Sequence, residues 1–152
     1  MNEPGTAPAK TILVVDDEKA VCQVMSLALG RAGYGVVTAD APKAAIAAMR
    51  AHACRVVFID LNLPGTSGLD LCRIIKPEHP HTMVYLLTGY APESAMHEFR
   101  AAGFRDLLIK PVDLKVLAAV VHEAFAVELT AGVNLRRRHP RCAAGRYRCE
   151  PA

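Results

Sequence analysis

Val56-Val57-Phe58-Ile59-Asp60-Leu61-Asn62-Leu63-Pro64-Gly65 is the stretch whose reading decides the fold. Four apolar residues, β-branched or aromatic, run straight into a carboxylate, and a Pro-Gly pair follows. An apolar run of this length closed by turn residues reads as a strand buried on both faces. Asp60 then stands at its carboxyl end, the edge at which ligands bind in open α/β sheets. Three other segments end in a similar way. Thr11 to Val15 leads into Asp16-Asp17, Met83 to Leu87 into Thr88-Gly89, and Asp106 to Ile109 into Lys110-Pro111. Three carboxylates, one hydroxyl and one ammonium are therefore expected on one edge of one sheet.

Between these strands the pattern turns helical. Val21, Val24, Met25, Ala28 and Ala32 recur at helical spacing, and Gly33 sits where a helix ends. A short strand from Tyr34 to Thr38 follows, with Asp40 as N-cap for an Ala-rich helix over 42–52. The helix after the central strand should run from Gly68 to Ile75 and stop at Pro77. Further helices are expected near 93–102 and from Asp113 to Leu129. Five strands alternating with five helices through short linkers predict a doubly wound parallel sheet with helices on both faces. The flavodoxin-like order 2-1-3-4-5 is adopted for such a unit, and it makes strands 1 and 3 neighbours. Asp16, Asp17 and Asp60 would then share one crevice.

At 152 residues the chain is long enough for one domain with a real core, and its 52% hydrophobic content excludes a disordered polypeptide. The longest apolar runs fall short of a membrane span, and residues 1–10 carry no signal-peptide pattern. The five cysteines have no framework spacing and read as reduced thiols of a cytoplasmic protein. The net charge of +3 hides an asymmetry. Residues 130–152 hold six Arg and one Glu, whereas the rest holds twelve Lys and Arg against fourteen Asp and Glu. The expected organisation is a flexible leader over 1–10, a mildly acidic domain over 11–129, and a basic, disordered tail over 130–152.

Clustered carboxylates repel one another, which favours either a raised pKa or a bound cation. An all-oxygen site with few protein ligands suits Mg²⁺, completed by water and phosphate oxygens. Lys110 can hold a phosphate oxygen, Thr88 can donate to another, and an Asp can itself become an aspartyl-phosphate.

The ordered set Asp16-Asp17, Asp60-Leu61-Asn62-Leu63-Pro64-Gly65 with Gly68, Thr88-Gly89 and Lys110-Pro111 resembles the receiver domain of bacterial two-component response regulators. The resemblance covers residues 11–129 and is that of a stand-alone, chemotaxis-regulator-like receiver. It implies that Asp60 accepts a phosphoryl group from a sensor histidine kinase or phosphotransfer protein. It also implies that Asp16, Asp17, Asp60 and the backbone carbonyl of Asn62 hold Mg²⁺, that Thr88 and Lys110 contact the phosphoryl oxygens, and that Lys110-Pro111 is cis. Such a domain catalyses only its own phosphorylation and dephosphorylation. Three positions depart from the family pattern: Leu63 where Met is frequent, Gly89 where Ala is usual, and Leu107 in the place of the switch aromatic. With that aromatic missing, Tyr90 is the candidate for relaying the switch.

The last helix is apolar on more sides than one core stripe needs, through Leu114, Val116, Leu117, Ala118, Ala119, Val120, Val121, Ala124, Phe125, Ala126 and Val127. A homodimer or partner face on helix 113–129 is the expectation, and the resemblance points to the surface of the fourth helix, fifth strand and fifth helix. The alternative function is a DNA- or acidic-partner-binding regulator acting through Arg136, Arg137, Arg138, Arg141, Arg146 and Arg148. No folded DNA-binding motif accompanies them, so nucleic acid is not expected as a partner. His139, Cys142 and Cys149 lack the paired spacing of a zinc site. A haloacid-dehalogenase-type hydrolase would need a second Asp two residues after the nucleophile, where this chain has Asn62.

Overall fold

The computed structural model describes residues 10–129 and 146–147. Five parallel strands, β1 (Thr11–Val15), β2 (Gly35–Ala39), β3 (Cys54–Asp60), β6 (Met83–Thr88) and β7 (Asp106–Ile109), lie in the order β2-β1-β3-β6-β7. This is the expected flavodoxin-like order. Two further pairings complete the sheets. Asn62–Leu63 (β4) and Thr66–Ser67 (β5) form a small antiparallel hairpin across Pro64-Gly65, with Gly65 at φ +77°. Arg146–Tyr147 (β8) pairs antiparallel with β7, so the sheet takes two residues from the stretch expected to be solvated. The rest of that stretch, including the Arg136-Arg137-Arg138 run, His139, Cys142 and Cys149, lies outside the described residues, as does the leader up to Ala9.

Strand alternation sorts the core into two layers. Ile12, Val14, Val56, Phe58, Tyr85, Leu87 and Leu108 face helices α1 (Lys19–Arg31) and α5 (Leu114–Leu129). Leu13, Val15, Val57, Ile59, Val84, Leu86 and Leu107 face α2 (Pro42–Ala51), α3 (Gly68–Glu78) and α4 (Met96–Ala101). Every strand thus carries apolar side chains on both faces, which is why the parallel strands read as unbroken apolar runs. Among the described residues, no helix is long and apolar enough to cross a membrane.

Several local expectations are corrected. The buried stripe of α1 is Cys22, Met25 and Leu29, whereas Val24 is 51% exposed and Ala32 lies outside the helix. Apolar residues surround α1, so two stripes fit the period, and the one that buries Leu29 removes more surface from water. Asp40 caps nothing. Ala41 holds the N-cap position without a side-chain bond, and Pro42 opens α2 instead. Helix α3 runs through Pro77 to Glu78, because a proline in the last turn forfeits only one intrahelical bond. The helix expected over 93–102 is a 3₁₀ turn at Glu93–Ala95 followed by the short α4. On α5 the buried stripe is Val116, Leu117, Val120, Val121, Ala124 and Phe125. The remaining apolar residues with described side chains are small, apart from Leu114, which is 43% exposed.

Candidate functional site

The parallel order brings the carboxyl ends of β1 and β3 side by side, and the acidic residues follow. Asp16 is buried at the end of β1, Asp60 is buried at the end of β3, and Asp17 is exposed between β1 and α1. Carboxylate oxygens of the three lie within 4.8 Å of one another. Lys110, on the residue after β7, enters the same crevice. Its Nζ stands 2.7 Å from Asp16 Oδ2 and 3.3 Å from Asp60 Oδ1. The Lys110-Pro111 bond is cis.

Glu18 belongs to this group, and sequence reasoning did not single it out. Its backbone N–H donates to Asp16 Oδ1 at 2.9 Å, and its Oε1 accepts from Lys110 Nζ at 3.3 Å. The signal was present as a third acid after Asp16-Asp17. Pairing with a lysine 92 residues away is visible only in the fold. Gly68 has a steric role at the site. A Cβ there would overlap the carbonyl oxygen of Asp60, so α3 can start this close to the end of β3 only on a glycine.

The other expected site residues take different positions. Thr88 is buried at the end of β6, with its hydroxyl donating to the Tyr90 carbonyl at 2.8 Å and accepting from the Tyr90 N–H at 3.3 Å. Tyr90 is 75% exposed, and Leu107 is buried in the layer under α2, α3 and α4. Asn62 lies in the β4–β5 hairpin, and its peptide N–H donates to the Asp60 carboxylate.

Electrostatics reflect the crowding. Burial pushes the Asp60 carboxyl up and the charge of Asp16 adds to it, while Lys110 and the Asn62 N–H oppose the rise without cancelling it. Burial alone would lower Lys110, yet its hydrogen bond to Asp16 and the charges of Asp16 and Asp60 hold it above the ordinary lysine value. Burial also pushes the Cys54 and Cys72 thiols up to about 11, so at neutral pH they are protonated core residues.

The raised Asp60 has a definite consequence for stability. A carboxyl that binds its proton more tightly folded than unfolded costs stability as pH rises from its ordinary value to its raised one. Above that window the cost is constant. Without divalent cation, Asp60→Asn should therefore melt at a higher temperature than the parent chain at neutral pH. Thermal melts in chelator measure it, and an equal or lower melting temperature would contradict the electrostatic account.

The donor set suits a small divalent cation. Three carboxylates supply oxygen only, and one of their buried atoms already has a cation as its partner. Asp16 Oδ2 is fully buried, and apart from the Lys110 ammonium at 2.7 Å no aligned hydrogen bond reaches it. A dehydrated carboxylate oxygen in that state gains from a cation with bound water.

Comparison with known proteins agrees with this geometry. The family described as the response regulator receiver domain matches residues 12–122. The virulence sensor protein BvgS of Bordetella pertussis is 37% identical over 123 residues, spanning 76% of this chain and 10% of that protein. The probable transcriptional regulatory protein TcrX of Mycobacterium tuberculosis is 36% identical over 129 residues, spanning 82% of this chain and 55% of that one. Chemotaxis protein CheY4 of Vibrio cholerae superposes with a TM-score of 0.73 at 26% identity, covering 76% of this chain and 98% of the other. The chain thus spans from a tenth to just over half the length of these two curated relatives.

Proposed function

Because this chain belongs to the response regulator receiver family, we propose that it is a phosphorylation switch in which Asp60 is the phosphoacceptor. Receiver domains are signalling domains rather than enzymes acting on a separate substrate, and they bind Mg²⁺ at an acidic pocket and interact with sensor histidine kinases. For this chain the partner would be such a kinase or a phosphotransfer protein, met in the cytoplasm. The observation that carries the reading is Lys110 Nζ held between Asp16 and Asp60 at the carboxyl edge of the sheet.

In the proposed reaction an Asp60 carboxylate oxygen attacks phosphorus in line. The new P–O bond forms as the P–N bond to the donor histidine breaks, and the imidazole leaves with its electron pair. Asp16, Asp17, Asp60 and the Asn62 carbonyl would hold Mg²⁺, which supplies charge neutralisation for the transferring group. Lys110 would shift from Asp16 onto a phosphoryl oxygen, with Glu18 as its remaining anchor. The test is exposure to acetyl phosphate with Mg²⁺. One base-labile phosphoryl group per chain supports the reading, and none overturns it.

Signal output is proposed to run through the loop after β6. Thr88 Oγ1 is bonded to both backbone groups of Tyr90, so turning the hydroxyl toward a phosphoryl oxygen must release that loop. A phosphoryl group shifts the equilibrium only through such a differential interaction. Tyr90→Ala should weaken phosphorylation-dependent partner binding or dimerisation through the surface of α4, β7 and α5, with the phosphorylation rate nearly unchanged. Leu107→Ala should instead cost about 2–5 kcal/mol of stability as a core truncation. Binding assays and denaturant melts separate the two. A Tyr90→Ala protein whose two forms remain as distinguishable as in the parent would reject this route.

A further inference from the structure

The outer edge of β7 is the place where this chain departs from a plain five-stranded sheet. β7 bonds β6 on one side, and its four residues include Asp106, Leu107 and Leu108, all buried. A short apolar strand at the edge of a sheet presents open N–H and C=O groups, a ready template for another chain. Here the chain supplies its own partner. Tyr147 stands opposite Leu107 and Arg146 opposite Leu108, in antiparallel register.

We propose that Arg146–Tyr147 is an intramolecular cap on the β7 edge, competing with pairing of that edge by a second copy of the chain. Three observations support it. First, the two edges of the sheet are treated differently. β2, at the opposite edge, has no strand on its outer side among the described residues, and its first three residues are only half-buried. Second, reach is ample. Sixteen residues separate Leu129 from Arg146, enough to span about 50 Å when extended. Third, charge favours the closed form: the stretch 130–152 is net positive and the remainder of the chain net negative. That attraction weakens as salt rises.

The cap is marginal by construction. A two-residue ladder supplies few hydrogen bonds, each of small net worth because water competes for the same groups. Tethering compensates by raising the local concentration of the segment to the millimolar range, on the order expected for short linkers. A partner strand of modest affinity can therefore displace it. An uncapped β7 could pair with the β7 of a second copy about a twofold axis, since an antiparallel edge is self-complementary. This inference does not depend on phosphorylation, and its test uses the unphosphorylated chain.

The experiment compares the 152-residue chain with its double variant Arg146→Pro, Tyr147→Pro, because proline cannot donate to a ladder. The double variant Asn134→Pro, Leu135→Pro serves as a control outside the strand. In dilute parent protein the one amide of Arg146–Tyr147 that points at β7, since successive residues of an antiparallel strand face opposite sides, should exchange with solvent about 3–10-fold more slowly than unstructured amides, with protection falling as salt rises. In sedimentation, the 146/147 variant should self-associate at about tenfold lower concentration than the parent, while the control matches the parent. Amides at 146 and 147 both exchanging at the unstructured rate would overturn the proposal. So would a 146/147 variant that stays as monomeric as the parent, or a control that associates equally.

Discussion

With Mg²⁺ and acetyl phosphate, the parent chain should gain a single phosphoryl group, stable in acid and labile in base, and Asp60→Asn should gain none. Intact-mass measurement reads the adduct directly. The expected effect is complete loss, because no neighbouring carboxylate is placed to substitute. Asp16 has one oxygen held by the Glu18 N–H and the other against the Lys110 ammonium, an arrangement that holds charge rather than one poised to attack. Asp17 is exposed to water, outside the dry end of the crevice. Asp60 is on the central strand, 6% exposed, with Lys110 at 3.3 Å and the Asn62 N–H to orient it. A nucleophile so placed needs little reorganisation, and positioning is most of what phosphoryl transfer asks of a protein. The metal-free thermal melt of Asp60→Asn, expected at or above that of the parent, separates loss of the adduct from unfolding. An adduct of unchanged yield in the variant would move the phosphoacceptor elsewhere and end this assignment.

The fold was legible because its signals are local. Val56 to Asp60 reads as a buried strand from four residues and a turn, and the other strand ends repeat the pattern. A parallel sheet buried on both faces needs no alternation to be recognised. The carboxylates were legible for the same reason, since each lies at a strand end and strand order then gathers them. What stayed hidden depends on distance or on competing choices. Glu18 meets Lys110 only after 91 intervening residues have folded, and nothing local to either announces it. The stripe of α1 could be drawn through Val24 or through Leu29, and packing against α5 and the sheet settles it. Arg146–Tyr147 has no strand signature of its own, because its partner edge rather than its composition makes it a strand. Thr88 was correctly placed at a strand end, but its bond to the Tyr90 backbone is a geometric fact beyond the reach of spacing.

Gly68→Ala should damage both stability and phosphoryl transfer, and the reason is steric. A Cβ at this position would overlap the carbonyl oxygen of Asp60 and come within 3.1 Å of its carbonyl carbon and 3.0 Å of Ile59 Cγ2. Two of those three atoms are backbone, held in the sheet between β1 and β6, so they cannot turn aside as a flexible side chain would. Relief must come from α3. Its first residue would withdraw, straining the 2.7 Å bond from the Gly68 N–H to the Leu61 carbonyl and dragging the segment 61–67 with it. That segment contains Asn62, whose N–H orients the Asp60 carboxylate. Overpacking of this kind typically costs about 1–3 kcal/mol, which is several degrees of melting temperature for a domain of this size. Phosphorylation should slow by at least about tenfold, since a misplaced nucleophile loses much of what orientation supplies. Gly89→Ala is the matched comparison. A Cβ at Gly89 meets nothing within 4 Å and its φ is not positive, so the change should be neutral or stabilise by about 0.4–1 kcal/mol through the unfolded chain. Thermal melts and acetyl-phosphate kinetics on both variants provide the measurement. If Gly68→Ala matched the parent in both, α3 would have room to shift without cost. If it lost stability alone, the approach of α3 would serve the fold and not the aspartate, because the Asn62 N–H would have kept its hold on Asp60 through the strain.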